Sequence, residues 1–490
     1  MRNQFGYSVF YIFTLSLFLI SSCVKFPERP PEIIPEIPGE PAEEHQVYLY
    51  DFGNERQNIL AQITINSDGQ VNLDKITFEI PPLKYNKYWL FLRTQDDCHH
   101  SAFSYTWAAI NGKPLPTKTE PKPLYYDIEH LRAGDFPQDT VSLGKTLGST
   151  DGTGKEVRFA FTTTLAPENN MDEETDVKLG FRGDEFRFFK KTHLTWSSVK
   201  ELMNTGNGIA FHNIQMGVEE NNVDTLLRHF SLSQDIIKKR LSGRGCKILA
   251  EPDGIKLYLS AAMLYPPIKL LTAQAEAEKL YPFRVKDNLY KRVLERREYL
   301  DSLNPLRPVK EAVEAELNKD KSERSAVHWL VHRTDINTAN VLLWLNDNYG
   351  KDGDNSVWFP SLDEYYEYNY LRMNSSIKTS SETNSYKLTI YMPTEQYFYF
   401  PSLTINLKGI KVENIVGIKT SSEISGFSFA NYEDGIMMNI DCRKFLVEKA
   451  QHYVKLYEKK KSKSNLSDAK YHVEMLKDSE IKTVLLNRLK

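Results

Sequence analysis

The stretch that decides the fold is Tyr88–Asp97, which reads YWLFLRTQDD. Its first five residues are apolar almost without a break, and polar residues follow directly. A strand that is apolar on both faces is typical of a parallel sheet or barrel covered by helices. In such barrels the residues that follow the strands gather at one end and carry the chemistry. We therefore predict that Asp96 and Asp97 lie at the functional end of a barrel.

Strands and helices alternate downstream of this stretch. The alternation predicts parallel strands with helical crossovers, and it places His212 and His332 at strand ends as well. Thr195 is the predicted start of one helix and Gly206 its end. The predicted elements are a strand at 209–211, a helix at 223–241, a strand at 246–250, helices at 269–279 and 309–319, a strand at 327–332 and a helix at 338–348.

Composition shifts divide the rest of the chain. Residues 46–83 predict a small N-terminal β element, and 84–382 the barrel, with a Pro- and Gly-rich insertion at 113–190. After residue 383 short strands follow one another without helices, which predicts a C-terminal β-sandwich at 383–442. The charged segment 443–490 is predicted to be helical.

The N-terminus reads as a targeting segment. Arg2 precedes an apolar run, Val9–Ile20, that ends in Ser21-Ser22-Cys23. Small residues before a cysteine resemble the bacterial lipobox, so residues 1–22 are a predicted signal peptide and Cys23 the predicted lipidation site. An ordinary secretory signal is the alternative. Residues 23–45 are rich in Pro and Glu and predict an extended linker. The expected location is the cell envelope, on the outer membrane or cell surface.

Composition and missing motifs exclude several classes of protein. The 490 residues carry a net charge of −3, which argues against a nucleic-acid partner. Four cysteines exclude a disulfide-rich scaffold and a cysteine-only zinc cluster, although one disulfide is possible. The sequence has no glycine-rich phosphate loop, His-Glu-x-x-His segment or Gly-x-Ser-x-Gly elbow. This argues against nucleotide chemistry, zincin proteolysis and serine esterase chemistry.

Three motifs in order carry a family resemblance. Thr94–Cys98 resembles the Thr-Phe-Asp-Asp-Gly motif of the polysaccharide deacetylase family, which has the NodB-homology fold. The segment from Gly206 to His212 resembles the second motif of that family, and Leu330-Val331-His332 resembles its late Leu-x-His motif. Glu251–Gly254 stands where the family has an Arg-x-Pro-x-Gly strand end. With the segment 358–368, the chain resembles a divergent group of Bacteroides-type lipoproteins.

The resemblance implies an α/β fold, a NodB-type distorted (β/α) barrel, and hydrolysis of acetyl groups on polysaccharides or oligosaccharides. It implies that Asp97 and His212 bind a divalent metal, with zinc expected. By the same resemblance Asp96 is the general base, and His332 protonates the leaving group or positions the acid. A metal suits this chemistry because it lowers the pKa of bound water and polarises the carbonyl.

The sequence departs from the family pattern at the metal and at the base. Met216 stands where the second metal-binding histidine is expected, and a thioether is a poor zinc ligand beside oxygen and nitrogen donors. Ala250 stands at the arginine that orients the base, and Cys98 replaces the motif glycine. The candidate replacement metal ligands are His99, His100, Glu219 and His229. Alternatively the metal is lost and a glycan-binding cleft remains.

A weaker alternative is a glycosidase that uses two carboxylates. Asp363-Glu364 is the only second acidic pair considered for it, and this pair is expected to cap a helix. The neighbouring tyrosines at 365, 366, 368 and 370 could stack on sugars, but their helical spacing is more typical of a core.

Overall fold

The structure is a computed structural model that describes residues 50–54, 57–116, 140–168, 171, 193–213, 222–299 and 304–490. The predicted signal peptide, linker and lipidation site lie outside the described residues. None of the helices in the described ranges combines the length and apolar character needed to cross a membrane.

The strands are β1 Ile59–Ser67, β2 Thr77–Glu79, β3 Trp89–Gln95, β4 Leu115–Pro116, β5 Thr140–Val141, β6 Gly148–Thr150, β7 Glu156–Arg158, β8 Thr162–Leu165, β9 Gly208–Phe211, β10 Ile248–Ala250, β11 Leu270–Ala273, β12 Val293–Glu295, β13 Arg297–Glu298, β14 Val327–Val331, β15 Val357–Trp358, β16 Ser376–Glu382, β17 Ser385–Met392, β18 Ser402–Lys408, β19 Ile415–Thr420, β20 Gly426–Tyr432 and β21 Gly435–Asp441.

The α-helices are α1 Ala108–Ile110, α2 Trp196–Asn204, α3 Val223–Arg240, α4 Lys256–Leu264, α5 Leu306–Leu317, α6 Ile336–Tyr349, α7 Leu362–Asn374, α8 Leu446–Lys459, α9 Lys463–Glu474 and α10 Glu480–Arg488. A π-helix, Ala102–Trp107, runs directly into α1. Short 3-10 helices are Phe52–Asn54, Leu73–Lys75, Lys84–Asn86, Lys321–Glu323 and Val412–Asn414.

The central sheet is a nearly closed parallel barrel. Its strands lie in the order β12-β11-β10-β9-β8-β3-β14-β13, with β15 beside the start of β3, and every neighbouring pair is parallel. Only Arg296 separates β12 from β13, so one stretch of chain forms both ends of this order. The predicted α/β barrel is confirmed, and its closure depends on this one interrupted strand.

Alternation along β3 explains its apolar run. Leu90 and Leu92 pack in one core cluster with Ala210 and Leu294 from other barrel strands. Phe91 packs in a second cluster with residues of the surrounding helices. Successive strand residues point to opposite faces, so an unbroken apolar run suits the part of a strand that is covered on both sides.

Two segments differ from their predicted structure. Residues 269–279 were predicted to be helical, but Leu270–Ala273 is the fully buried strand β11. Its alanine- and glutamate-rich continuation has helical composition, and burial between two parallel neighbours overrides that local preference. The predicted insertion 113–190 contains β8, which pairs with β3 and β9 inside the barrel.

The predicted N-terminal β element is part of the C-terminal sandwich. That sandwich has two four-stranded sheets, with the orders β16-β17-β1-β19 and β2-β18-β21-β20. Strand β1 lies in the middle of the first sheet, where Ile63 pairs with Leu388. Sequence reasoning treated residues 46–83 as separate because the partners of β1 and β2 lie more than 300 residues away along the chain.

The C-terminal helices form a small core of their own, as their predicted helical character allows. Helix α9 is joined to the barrel side through Asp468, which accepts hydrogen bonds from Arg158 Nη1 at 2.6 Å and Lys113 Nζ at 2.5 Å. Among the described residues, Cys98, Cys246 and Cys442 are buried thiols and no disulfide is present.

Helix α7 joins the barrel to the sandwich through a buried ion cluster. Lys247 Nζ contacts Asp363 at 2.9 Å and Glu367 at 2.6 Å, and all three side chains are fully buried. Arg244 lies 3.3 Å from Asp363, and Glu367 also accepts the backbone N–H of Tyr399. Each charge therefore has a partner, which a buried ion requires.

The cluster settles two further expectations. Asp363 also accepts the N–H of Ile209 at the amino end of β9, so it lies at the opposite end of that strand from His212. Glu364, the other member of the acidic pair, is bound to Lys84 Nζ at 2.7 Å. The pair is therefore structural, which removes the basis for a two-carboxylate glycosidase. The α7 tyrosines belong to the core, since Tyr365, Tyr366 and Tyr368 are fully buried.

We predict that Lys247→Met lowers the free energy of unfolding by about 3–5 kcal/mol, because it leaves two buried carboxylates without their shared cation. The measurement is the midpoint and slope of chemical unfolding. Lys239→Met, at an exposed site on α3, is the control and should cost less than about 0.5 kcal/mol. Equal losses in the two variants would mean that the cluster contributes no specific stability.

Candidate functional site

The chain turns sharply where β3 ends. Asp96 still donates its N–H to Val331 O at 2.8 Å, which extends the ladder with β14. Asp97 and Cys98 then have φ angles of 60° and 52°, the left-handed region that non-glycine residues seldom adopt. Cys98 occupies the position of the family glycine, and its φ explains why glycine suits that position. The strain of such residues, roughly 1–3 kcal/mol each, is typically tolerated at functional sites.

Asp96 is held by an arginine that the sequence analysis missed. Arg296 Nη1 donates to both carboxylate oxygens of Asp96, at 2.7 and 2.6 Å, and Nη2 donates to Glu251 O at 2.6 Å. Both side chains are buried. The expectation that the aspartate lacks an orienting arginine because Ala250 replaces it is therefore wrong. The guanidinium reaches the same carboxylate from the strand that closes the barrel.

His212 lies beside both aspartates. Its Nδ1 is 2.9 Å from Ala250 O, and a carbonyl only accepts, so Nδ1 carries the hydrogen. The Nε2 atom is 3.3 Å from Asp97 Oδ1 and 3.8 Å from Asp96 Oδ2. A backbone bond on one ring nitrogen that leaves the other facing the site is the usual arrangement of a metal-binding histidine.

Asp97 and His212 shift each other's pKa in opposite directions. Hydrogen bonds from His212 and His99 hold the pKa of Asp97 far below its usual range, against the opposing effect of burial. Burial by itself lowers the pKa of His212, but the Asp96 charge and the Asp97 hydrogen bond outweigh it and raise that pKa. Asp97 therefore remains a carboxylate over the physiological range, as a metal ligand must.

His332 follows β14 and pairs with a second residue that was not predicted. Its Nδ1 lies 3.1 Å from Glu298 Oε1, at the end of the neighbouring β13, and both side chains are partly exposed. The charge of His332 also lowers the pKa of Asp97, which places it within electrostatic reach of the aspartates. A carboxylate on one imidazole nitrogen fixes the ring orientation.

The three candidate replacement ligands that the structure describes occupy different surroundings. His99 Nε2 lies 3.6 Å from Asp97 Oδ2, so His99 is at the site. His100 is buried, with its ring edge-on to Phe103 at 5.9 Å between centroids. His229 Nδ1 pairs with Glu168 Oε2 at 2.8 Å. Glu219, like Met216, lies outside the described residues.

The donor atoms fit a metal in part. In a tetrahedral zinc site with bonds of about 2.0–2.1 Å, neighbouring ligand atoms are roughly 3.3 Å apart. The Asp97–His212 separation matches this spacing, and the Asp97–His99 separation is slightly longer. However, the described residues contain no group of three or more His, Cys, Asp or Glu arranged to hold a metal. The described part of the site thus provides one well-placed ligand pair and a third nearby nitrogen.

Comparison with known families gives a result that agrees with this site. Residues 61–490 match the family model described as "Putative polysaccharide deacetylase". The chain belongs to this polysaccharide deacetylase family. No curated protein matches the chain. The match begins inside β1 and continues to the last residue, so the family includes the sandwich and C-terminal helices as well as the barrel.

Sequence reasoning placed Asp96, Asp97, His212 and His332 at strand ends, and the structure gathers the first three within hydrogen-bonding or near-contact distances. It missed Arg296 and Glu298. A two-residue period in the segment 293–298 was the available signal, because alternate residues of a strand share a face. The four consecutive charged residues from Glu295 to Glu298 hide that period.

We predict that Arg296→Met destabilises this deacetylase-family protein by about 3–5 kcal/mol, since it leaves Asp96 buried without a cation. The double variant Arg296→Met/Asp96→Asn should lose less than the sum of the single losses, as measured by chemical unfolding. Arg297→Met is the matched control because the next arginine is exposed and pairs with Glu295, so its loss should be below about 1 kcal/mol. Strictly additive losses would argue against a direct Asp96–Arg296 coupling.

Proposed function

We propose that this protein is a metal-dependent hydrolase that removes acetyl groups from polysaccharides. The observation that supports the proposal is the meeting of Asp96, Asp97 and His212 at the carboxyl end of the barrel, with Arg296 bound to Asp96. Membership of the polysaccharide deacetylase family points to the same substrate class. Carbohydrate metabolism is the corresponding biological process.

Asp97 and His212 would hold the metal, with His99 as the nearest further nitrogen. A divalent ion bound there would lower the pKa of a water molecule and polarise the acetyl carbonyl. The backbone bond from His212 Nδ1 keeps Nε2 as its only coordinating atom. The strongly lowered pKa of Asp97 leaves its oxygens unprotonated for the same purpose.

Asp96 is the proposed general base. In hydrolysis the water oxygen forms a bond to the acetyl carbon while one water proton passes to a carboxylate. Arg296 and the strand ladder fix Asp96, and its Oδ2 lies 3.8 Å from His212 Nε2. Asp96, next to a residue that would hold the metal, is placed to receive the proton of the attacking water.

His332 is the proposed general acid. When the bond between the acetyl carbon and the sugar nitrogen or oxygen breaks, the leaving atom needs a proton. Glu298 fixes Nδ1 of His332, so Nε2 is the ring atom left to donate the proton. Glu298 is therefore a proposed positioning residue, because it acts through His332.

A second function is favoured by a specific observation. The described residues lack a three-ligand metal group, and Met216 stands at the position of the second family histidine. A barrel that binds glycans without hydrolysing them would need no metal. The same activity experiment separates the two proposals.

The purified full-length protein should release acetate from N-acetylated chitooligosaccharides or O-acetylated xylan when zinc is supplied, and a chelator should remove the activity. Asp96→Asn and Asp97→Asn should each reduce acetate release at least about 100-fold, since they remove the base and a metal ligand. Glu298→Gln should show a smaller loss and an altered pH profile, with His332 still present.

Asp320→Asn is the control for a changed charge at an exposed site away from the barrel mouth and should keep full activity. Unchanged zinc content in both Asp97→Asn and His212→Gln would overturn the assigned metal ligands. Glycan binding without acetate release from any acetylated substrate would establish the non-hydrolytic alternative.

We also propose that the protein is anchored in the cell envelope by lipid on Cys23, on the outer membrane or cell surface. The sequence supports this proposal, because the apolar run stops at Ser21-Ser22-Cys23 and a proline-rich linker follows. An extended linker reaches about 3.1 Å per residue, so the barrel could meet polymeric glycan some distance from the membrane.

Cys23→Ser should move the protein from the membrane fraction to the soluble fraction without changing its thermal unfolding, as the lipid contributes nothing to the core. Palmitate labelling should disappear in the same variant. The other three cysteines are buried thiols, so they provide an internal control for labelling. Label that persists in Cys23→Ser would show that another residue carries the lipid.

A further inference from the structure

One face of the sandwich carries an unusual set of side chains. In the sheet β16-β17-β1-β19, Ile63 and Leu388 point into the core, and the alternate residues point outward. Ser380, Lys387, Thr64 and Lys419 are successive cross-strand partners in one outward row. Lys378, Thr389 and Gln62 form the next row, and Ser376, Tyr391 and Leu60 the row beyond it. We call these three rows the outer face.

The outer face is positively charged. Lys378, Lys387 and Lys419 are exposed, and none of them pairs with a carboxylate in the described part of the chain. Among the outward residues of these four strands, the only acid is Glu382, in the row beyond Ser380 at the end of β16. Strands lie about 4.8 Å apart, so Lys387 and Lys419 are roughly 10 Å from each other across β1.

The rest of the outer face suits a sugar polymer. Tyr391 is 41% exposed and Leu60, its direct cross-strand partner, is 52% exposed. Tyr391 offers a flat apolar ring with a polar tip, which can stack on a sugar. Hydroxyl and amide side chains, Thr64, Gln62, Thr389 and Ser380, lie between the lysines and can exchange hydrogen bonds with sugar hydroxyls.

We propose that the outer face binds an acidic polysaccharide, a chain of sugars that carries carboxylates or sulfates. The three lysines supply charge for the anionic groups, Tyr391 and Leu60 supply an apolar stacking surface, and the exposed sheet face admits an extended chain. A membrane surface is the less suitable partner, because only Leu60 and Tyr391 among these outward residues are large and apolar. The binding site is separate from the barrel and does not depend on hydrolysis.

The test is affinity electrophoresis of the full-length protein in native gels that contain dextran sulfate, polygalacturonate or neutral dextran. We expect retardation by dextran sulfate, by polygalacturonate or by both, little by neutral dextran, and weaker retardation as salt rises. A response to only one acidic polymer would identify sulfate or carboxylate as the preferred anion. Lys387→Gln/Lys419→Gln should weaken the apparent affinity about tenfold, because two charge contacts are lost. Tyr391→Ala should weaken it as well.

Lys455→Gln/Lys470→Gln is the matched control, with the same loss of charge at exposed positions on α8 and α9. Its retardation should equal that of the unmodified protein, and circular dichroism should confirm that each variant is folded. Three outcomes would overturn the proposal: no retardation by either acidic polymer, equal weakening in the control pair, or binding to phosphatidylglycerol vesicles without binding to either polymer. The readout is binding alone, so its failure is distinguishable from failure of the proposed deacetylation.

Discussion

The buried ion pair between Arg296 and Asp96 is the contact on which the barrel and its site depend. The charge of Asp96 cannot stay inside the barrel without a partner, because desolvating an unpaired carboxylate costs several kcal/mol. The cation is Arg296, the single residue between β12 and β13. At this residue the chain stops pairing with β11 and begins to pair with β14. The residue that connects the two ends of the barrel sheet therefore also orients the proposed base.

The same pairing rule operates at the other end of the barrel. Lys247 at the start of β10 and the two carboxylates of α7 neutralise one another away from water. Glu367 also receives backbone N–H groups from the segment that leads into the sandwich. One ion cluster thus positions a barrel strand, a helix and the sandwich together. The central place of β1 in that sandwich adds a second connection between the two ends of the chain.

The site differs from the family pattern in where its residues come from. The arginine expected after β10 is replaced by Ala250, yet the backbone there remains in use, since His212 and Arg296 both bond to carbonyls of the Ala250–Glu251 segment. A guanidinium is long enough to reach the same carboxylate from another strand of a narrow barrel. A motif comparison considers only sequence positions. It therefore indicates that the arginine is missing, although Arg296 occupies the space beside Asp96. The other departure, at Met216, lies outside the described residues.

The sequence by itself determined the barrel class and the strand ends that carry Asp96, Asp97, His212 and His332. These features are local, because apolar runs, capping residues and strand ends depend on residues that are close together in the sequence. Tertiary structure alone decided that β1 joins strands more than 300 residues away, that 270–273 is a strand, and that Arg296 and Glu298 serve the site. Those results depend on which surfaces meet, and the local pattern of a segment does not show which distant segment it contacts. Burial on both faces outweighs the helical preference of the composition of 269–279. Arg296 supplies the cation that the buried carboxylate of Asp96 requires.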